Sequence, residues 1–264
     1  MGDSIGIMSL KGGVGKTTLV SSLGSAISDF NRRVLLVDAN FSAPNLGLHL
    51  NIVDPEVTLH HVMTDVAHIK DSIHNLDKFD VIPSSIFHKM NISPLKLKDK
   101  IKNTKKRYDY ILIDSSPALN EETLAAMLAS DKILIVTTPD HPTMSTTLKA
   151  IKLANQRGTE IDGLIINKVH NKNFELSTDD IEDTTGVPVM AVIPHDVNML
   201  RALSEFTPST DYKPKSEGSV EIKKLAATLI GEKYKPKRFK DIFSKITPKR
   251  HEINREIYYH NVFK

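Results

Sequence analysis

A chain of 264 residues, 40% hydrophobic and 25% charged, can bury one sizeable core, and one main domain is expected. The absence of cysteine excludes disulfides, a thiolate nucleophile and Cys-held iron–sulfur or zinc centres, and no run of about 18 uncharged apolar residues offers a membrane span. The net charge of +3 is uneven: from Lys233 to Lys264 ten Lys/Arg face three Asp/Glu, which gives that stretch +7 and leaves −4 for the rest.

In chain order, "SIGIMSL" reads as a strand, followed by a helix from about Lys16. "RVLLVDA", "FDVIPSS" and "YDYILIDSS" follow as further strands, then a helix over "NEETLAAMLAS". "KILIVTT" leads to a helix over "TMSTTLKAIKLANQRG" that closes on basic residues and Gly158, and "IDGLIINKV" and "VPVMAVIP" complete the strands. These β-branched runs lack polar alternation, as strands covered on both faces do. The pattern predicts an α/β fold with a doubly wound, mostly parallel sheet flanked by helices. The start of the chain shows no basic region followed by a cleavable apolar one, so a cytoplasmic protein is expected.

Between the first strand and its helix lies "SLKGGVGKTTL". A glycine-rich turn in that place, ending in Gly15-Lys16-Thr17, presents backbone N–H groups and a helix N-terminus to a di- or triphosphate. Gly12, Gly13 and Gly15 let the backbone come close, Lys16 is placed to neutralise β/γ-phosphates, and the Thr17 hydroxyl to complete a Mg²⁺ shell. The first glycine of the general pattern would fall at position 10, which is leucine.

The fuller string Lys11-Gly12-Gly13-Val14-Gly15-Lys16-Thr17-Thr18 resembles the deviant Walker A motif of the MinD/ParA family of dimerising ATPases, and the likeness extends from residue 1 to about 231. The resemblance implies a P-loop NTPase fold, ATP and ADP as ligands with Mg²⁺, and an ATP-dependent homodimer in which Lys11 touches the partner's nucleotide. "VLLVDANFSAPNLGLHL" looks like the family's switch I, which implies Asp38 near the metal. "YDYILIDSSPALN" looks like Walker B and switch II, which implies that Asp114 holds the metal through water. "GLIINKV" and "VIPHDVNMLRA" are similar to segments that frame adenine, placing Asn167, Pro194 and Asp196 near the base. Taken singly, each strand-end aspartate is also compatible with simply capping the next helix.

One position departs from the family. Where switch I usually carries a second aspartate for the attacking water, this chain has Asn40, which can orient water but cannot take its proton. Slow hydrolysis is one expectation; a plain loop residue in a shifted register is the other. The cysteine-requiring iron–sulfur relatives are excluded. His60-His61 and the other histidines show no metal-ligand spacing and are expected to be ordinary surface or core residues.

Composition changes at "GEKYKPKRFK", which suggests an ATPase domain over 1–231 and a basic, amphipathic tail over 232–264. Phe239, Ile242, Phe243 and Ile246 fall on one helical face with lysines beside it, a pattern that can lie in an anionic membrane interface or dock on protein. The stretch looks like the membrane-targeting helix of MinD-like members. The leading expectation is a MinD-like ATPase for spatial organisation, such as division-site placement, peripherally membrane-bound with ATP and recruiting an unidentified protein partner. A ParA-like nucleic-acid partner is disfavoured by the acidic body, and a slowly hydrolysing scaffold remains open.

Overall fold

The structure, a computed structural model, describes residues 2–87, 92–236 and 248–264. Eight strands form one sheet: β1 (Asp3–Met8), β2 (Val34–Ala39), β3 (His74–Asn75), β4 (Asp80–Ile82), β5 (Tyr110–Ser115), β6 (Lys132–Thr137), β7 (Glu160–Val169) and β8 (Val189–Pro194). Their order is β3-β4-β2-β5-β1-β6-β7-β8, parallel except at the short β3 edge. The first strand is central, and the chain winds outward on one side, returns through β5, then continues on the other side. Such an order opens a crevice above the C-terminal strand ends beside β1.

Side-chain alternation sorts each strand into two cores. Leu35 and Val37 of β2, Ile111 and Ile113 of β5, and Ile133 and Ile135 of β6 join one cluster; Leu36, Leu112, Leu134 and Val136 join the other. Helix α1 (Lys16–Ser28) packs in the second layer, and α2 (Leu46–His49), α3 (Leu59–Met63) and α4 (Leu97–Ile101) follow. Helix α5 (Glu121–Ala129) is capped by Asn120, whose side chain accepts from Thr123 N; α6 (His141–Arg157) is capped by Asp140 and closes at Gly158, φ 67°. Then come α7 (Thr178–Thr185), α8 (Val197–Ser204), α9 (Ser209–Tyr212) and α10 (Glu217–Leu229).

A last helix, α11 (Arg250–Val262), returns to the body and covers the β8 edge. Asn254 Nδ2 donates to Val189 O at 2.7 Å and Arg255 Nη1 to Met190 O at 3.0 Å, so side chains take strand carbonyls that a ninth strand would otherwise take. Arg255 also donates to buried Glu221 at 2.6 Å, and His251 Nε2 lies 3.2 Å from the same carboxylate. Burial alone would raise the Glu221 carboxyl, but His251 and Arg255 bring it down to about 2. Sequence reading assigned no element to 250–262, and the last part of the expected tail is thus docked. Phe239, Ile242, Phe243 and Ile246, the expected membrane face, lie outside the described residues.

Candidate nucleotide site

The loop between β1 and α1 turns through two left-handed glycines, Gly13 at φ 77° and Gly15 at φ 94°. A Cβ on Gly12 or Gly13 would meet nothing within 4 Å, so the loop faces open space, whereas one on Gly15 would lie 2.5 Å from Asn167 Nδ2. Helix α1 starts at Lys16 with no side-chain cap, which leaves its first N–H groups directed at that space. Lys16 is only 7% exposed, and burial lowers its pKa while Asp114 and Asp38 oppose the shift. It is a desolvated cation placed under the loop.

Asp38 and Asp114 face each other across the β2–β5 pairing, and both are buried. Burial raises both carboxyls; Asp114 also pushes Asp38 up, while Lys16 and Thr17 pull Asp114 down. Asp114 Oδ2 accepts from Thr17 Oγ1 at 2.6 Å, but its Oδ1 has no hydrogen-bond partner among the described residues. An orphaned carboxylate oxygen beside a hydroxyl is a hard-oxygen set that fits Mg²⁺. Asp38 is occupied differently. It accepts from the backbone N–H of Asn40 at 3.1 Å, Asn45 at 3.1 Å and Leu46 at 3.0 Å, and so shapes the loop that follows β2. Among the described residues no group of three or more His, Asp or Glu side chains could hold a metal, so an ion here would depend on Thr17, Asp114 and the phosphates.

Asn40 sits in that loop, 5% exposed, with its Nδ2 donating to Ala43 O and its Oδ1 left without a partner among the described residues. The bond to a carbonyl settles which end of the amide is nitrogen, and the free oxygen can accept from water. Two further residues tie the loop to α5: Ser42 Oγ donates to Glu122, whose other oxygen is buried and unpartnered among the described residues. Glu122 went unnoticed in the sequence because nothing in its spacing marks it.

Lys11 turns back onto its own chain. Its Nζ lies 3.2 Å from Asp140 Oδ1 and donates to Thr143 at the start of α6. Asn167 braces the glycine loop, donating from Nδ2 to Val14 O at 2.8 Å, and Lys168 donates to Gly13 O at 2.7 Å. Val14 is buried, with its carbonyl serving that brace. The amide of Asn167 is therefore spent on the loop, although the residue lines the pocket. Asp196 caps α8, accepting from Asn198 N at 2.8 Å.

A pocket of about 440 Å³ joins these parts. Gly12, Gly13, Gly15, Lys16, Thr17 and Thr18 line it with Asn40, Asn167 lines it against the glycine loop, and Pro194 and Asp196 line it as well. Sequence reading missed His195, Met199, Leu200 and Leu203, which also line the pocket. Met199, Leu200 and Leu203 fall at i, i+1 and i+4 of α8, a stripe that marks a helix but not a ligand wall.

Comparison with known proteins agrees with this geometry. A family model described as an AAA domain matches residues 2–162. An uncharacterized ATP-binding protein of Methanocaldococcus jannaschii is 34% identical, covering 89% of this chain and 90% of that protein. Among solved structures, the cell division ATPase MinD of Pyrococcus furiosus is similar at TM-score 0.82 and 35% identity, covering 86% of this chain and 97% of that one. The septum site-determining protein MinD of Pyrococcus horikoshii, complexed with Mg-ADP, gives 0.83 and 32%, covering 87% and 96%. With its eight-stranded sheet, glycine loop and these likenesses, the chain belongs to the MinD/ParA family of P-loop ATPases.

Proposed function

We propose that the protein is a MinD-like nucleotide switch that binds ATP with Mg²⁺, dimerises in that state and hydrolyses ATP slowly at an anionic membrane surface. The observation that carries the reading is the set at the start of α1: buried Lys16 and half-buried Thr17 beneath an open glycine loop, with Asp114 Oδ1 buried and unpartnered among the described residues. That arrangement suits a polyanion above the lysine and a hard cation beside the carboxylate. Thr17 and Asp114 would hold Mg²⁺, which when bound neutralises β/γ-phosphate charge. Lys16 and the α1 N–H groups hold the phosphates, and Asn40 Oδ1 accepts a hydrogen bond from the attacking water and orients it. Asn40 cannot remove the proton, which supports slow turnover and a switch whose bound state is long-lived.

Dimerisation rests on Lys11. Its contact with Asp140 is about two-fifths exposed on both sides, and an ion pair of that kind stabilises by only ~0–1 kcal/mol. A lysine held so weakly can be exchanged for a partner's phosphates at little cost. We further propose residues 1–231 as the ATPase domain and 232–264 as its basic appendage, with Phe239, Ile242, Phe243 and Ile246 as a lipid-facing stripe and a protein partner recruited by the ATP dimer. Two weak anchors in one particle bind far more tightly than one, which would link membrane residence to nucleotide state.

The test is light scattering and nucleotide binding on two variants. Lys16→Ala should lose nucleotide binding altogether, whereas Lys11→Ala should bind ATP as a monomer and fail to dimerise. A normal ATP-dependent dimer for Lys11→Ala would defeat the cross-subunit role.

A further inference from the structure

A second basic run lies far from the tail in sequence. From Lys96 to Arg107 the chain has seven Lys/Arg and one acid, Asp99. Lys100 pairs with Asp65, and Lys105 with Asp131 at 2.7 Å. Lys96, Lys98, Lys102, Lys106 and Arg107 are exposed and make no ion pair among the described residues. In α4 the buried Leu97 and Ile101 are one turn apart, so Lys98 and Lys102, also one turn apart, share an outward strip.

Beside this strip is a cleft of about 330 Å³ between the turn Ile69–Ser72 and the turn Thr104–Lys106, lined by His68, Lys70, Asn103 and Arg107 with Ile69 and Ile73. Lys70 also lacks an ion pair among the described residues. Two cations, an amide and an imidazole over an apolar floor suit a phosphate ester carrying a hydrocarbon portion.

Residues 102–107 lead into the start of β5, the end of the sheet remote from the glycine loop. Contacts connect that end to the root of the basic C-terminal stretch: Gly2 N donates to Lys105 O at 2.8 Å, Asp109 pairs with Arg33 at 2.9 Å, and adjacent Arg32 pairs with Glu232 at 3.1 Å. The 96–107 run and the root of the C-terminal stretch at Glu232 therefore lie at one end of the sheet.

We propose that the His68–Lys70–Asn103–Arg107 cleft and the Lys98–Lys102–Lys106 rim form a second contact with anionic phospholipid, one headgroup phosphate entering the cleft while the lysines lie over its neighbours. This rests on the membrane reading above and adds to it a site outside the tail. Lipid is favoured over nucleic acid because Val66 and Leu95, 69% and 45% exposed, stand among the cations, and segments 66–73 and 92–107 contain no Phe, Tyr or Trp on which bases could stack.

The test is co-sedimentation of the full chain with phosphatidylcholine vesicles, with and without phosphatidylglycerol, in the presence of ATP. Lys70→Gln/Arg107→Gln should weaken binding to anionic vesicles about 30-fold, from about fivefold per cation near a charged surface, with an unchanged melting temperature. Lys102→Gln/Lys106→Gln should act in the same direction and flatten the salt dependence. Phe243→Glu, measured alongside, separates the two readings. If it releases the protein while the cleft variants bind normally, the tail reading stands and the cleft proposal fails; if only the cleft variants release it, the tail reading fails. Glycerol phosphate stabilising the wild type but not the cleft variant, without vesicle binding, would make the site one for a soluble phosphate and overturn the lipid assignment. Duplex DNA binding that the same variants abolish, again without vesicle binding, would overturn it in favour of nucleic acid.

Discussion

Two buried charge clusters in this molecule have opposite character. Under α11, Glu221 is met by Arg255 and His251, and its carboxyl is held at about 2. At the crevice, Asp38 and Asp114 face each other with Lys16 as their nearby cation, and both carboxyls are raised. Burial is nearly complete in both places, so the difference lies in compensation. The first cluster is a closed set that holds a helix to a sheet edge. The second has more negative charge than its cation offsets and an acceptor without a donor, as expected of a site that takes an ion.

The sharpest way to break that contrast is to open the closed set. Arg255→Ala leaves buried Glu221 with His251 and a long bond from Val192 N and also frees the Met190 carbonyl, so about 3–5 kcal/mol of stability should be lost in chemical denaturation. A loss below about 1 kcal/mol would mean that α11 contributes little to the fold. Acid gives a second measure. A carboxyl depressed to about 2 stabilises the fold above its unfolded value near 4.5, and the contribution disappears as pH falls from there through about 2. A loss on the order of 3 kcal/mol is expected over that window, and Glu221→Gln should abolish most of it. A smaller effect is expected from Asn40→Asp, which adds a third carboxylate to the open set. Removing the bond to Ala43 O should cost about 1 kcal/mol of stability, while single-turnover hydrolysis rises about tenfold with nucleotide affinity little changed. An unchanged rate in a folded, dimerising variant would show that another group positions the water.

The same contrast explains what was legible in the sequence. The glycine loop was readable because two positions need left-handed backbone and the strand–loop–helix context limits what such a string can do. The sheet was readable because its strands are covered on both faces and carry uninterrupted apolar runs. Asp38 was expected near the metal, and its use of both oxygens on three backbone N–H groups follows instead from how residues 40–46 fold back. The same holds for Asn167, whose amide goes to the glycine loop from a strand more than a hundred residues away. Partners distant in sequence leave no periodic trace. Helix α11 was missed for a related reason. Its buried residues are His251 and Arg255, polar side chains that an apolar-stripe search passes over.

The way α11 sits on β8 bears on how the C-terminal region can be manipulated. Deleting everything after residue 231 would remove the basic appendage, but it would also strip Asn254 and Arg255 from the carbonyls of Val189 and Met190 and leave a bare strand edge. Such an edge templates strand addition from other molecules, so the shortened chain would tend to self-associate for reasons unrelated to nucleotide or lipid. Point substitutions within an intact chain keep that edge sealed and leave solubility out of the readout.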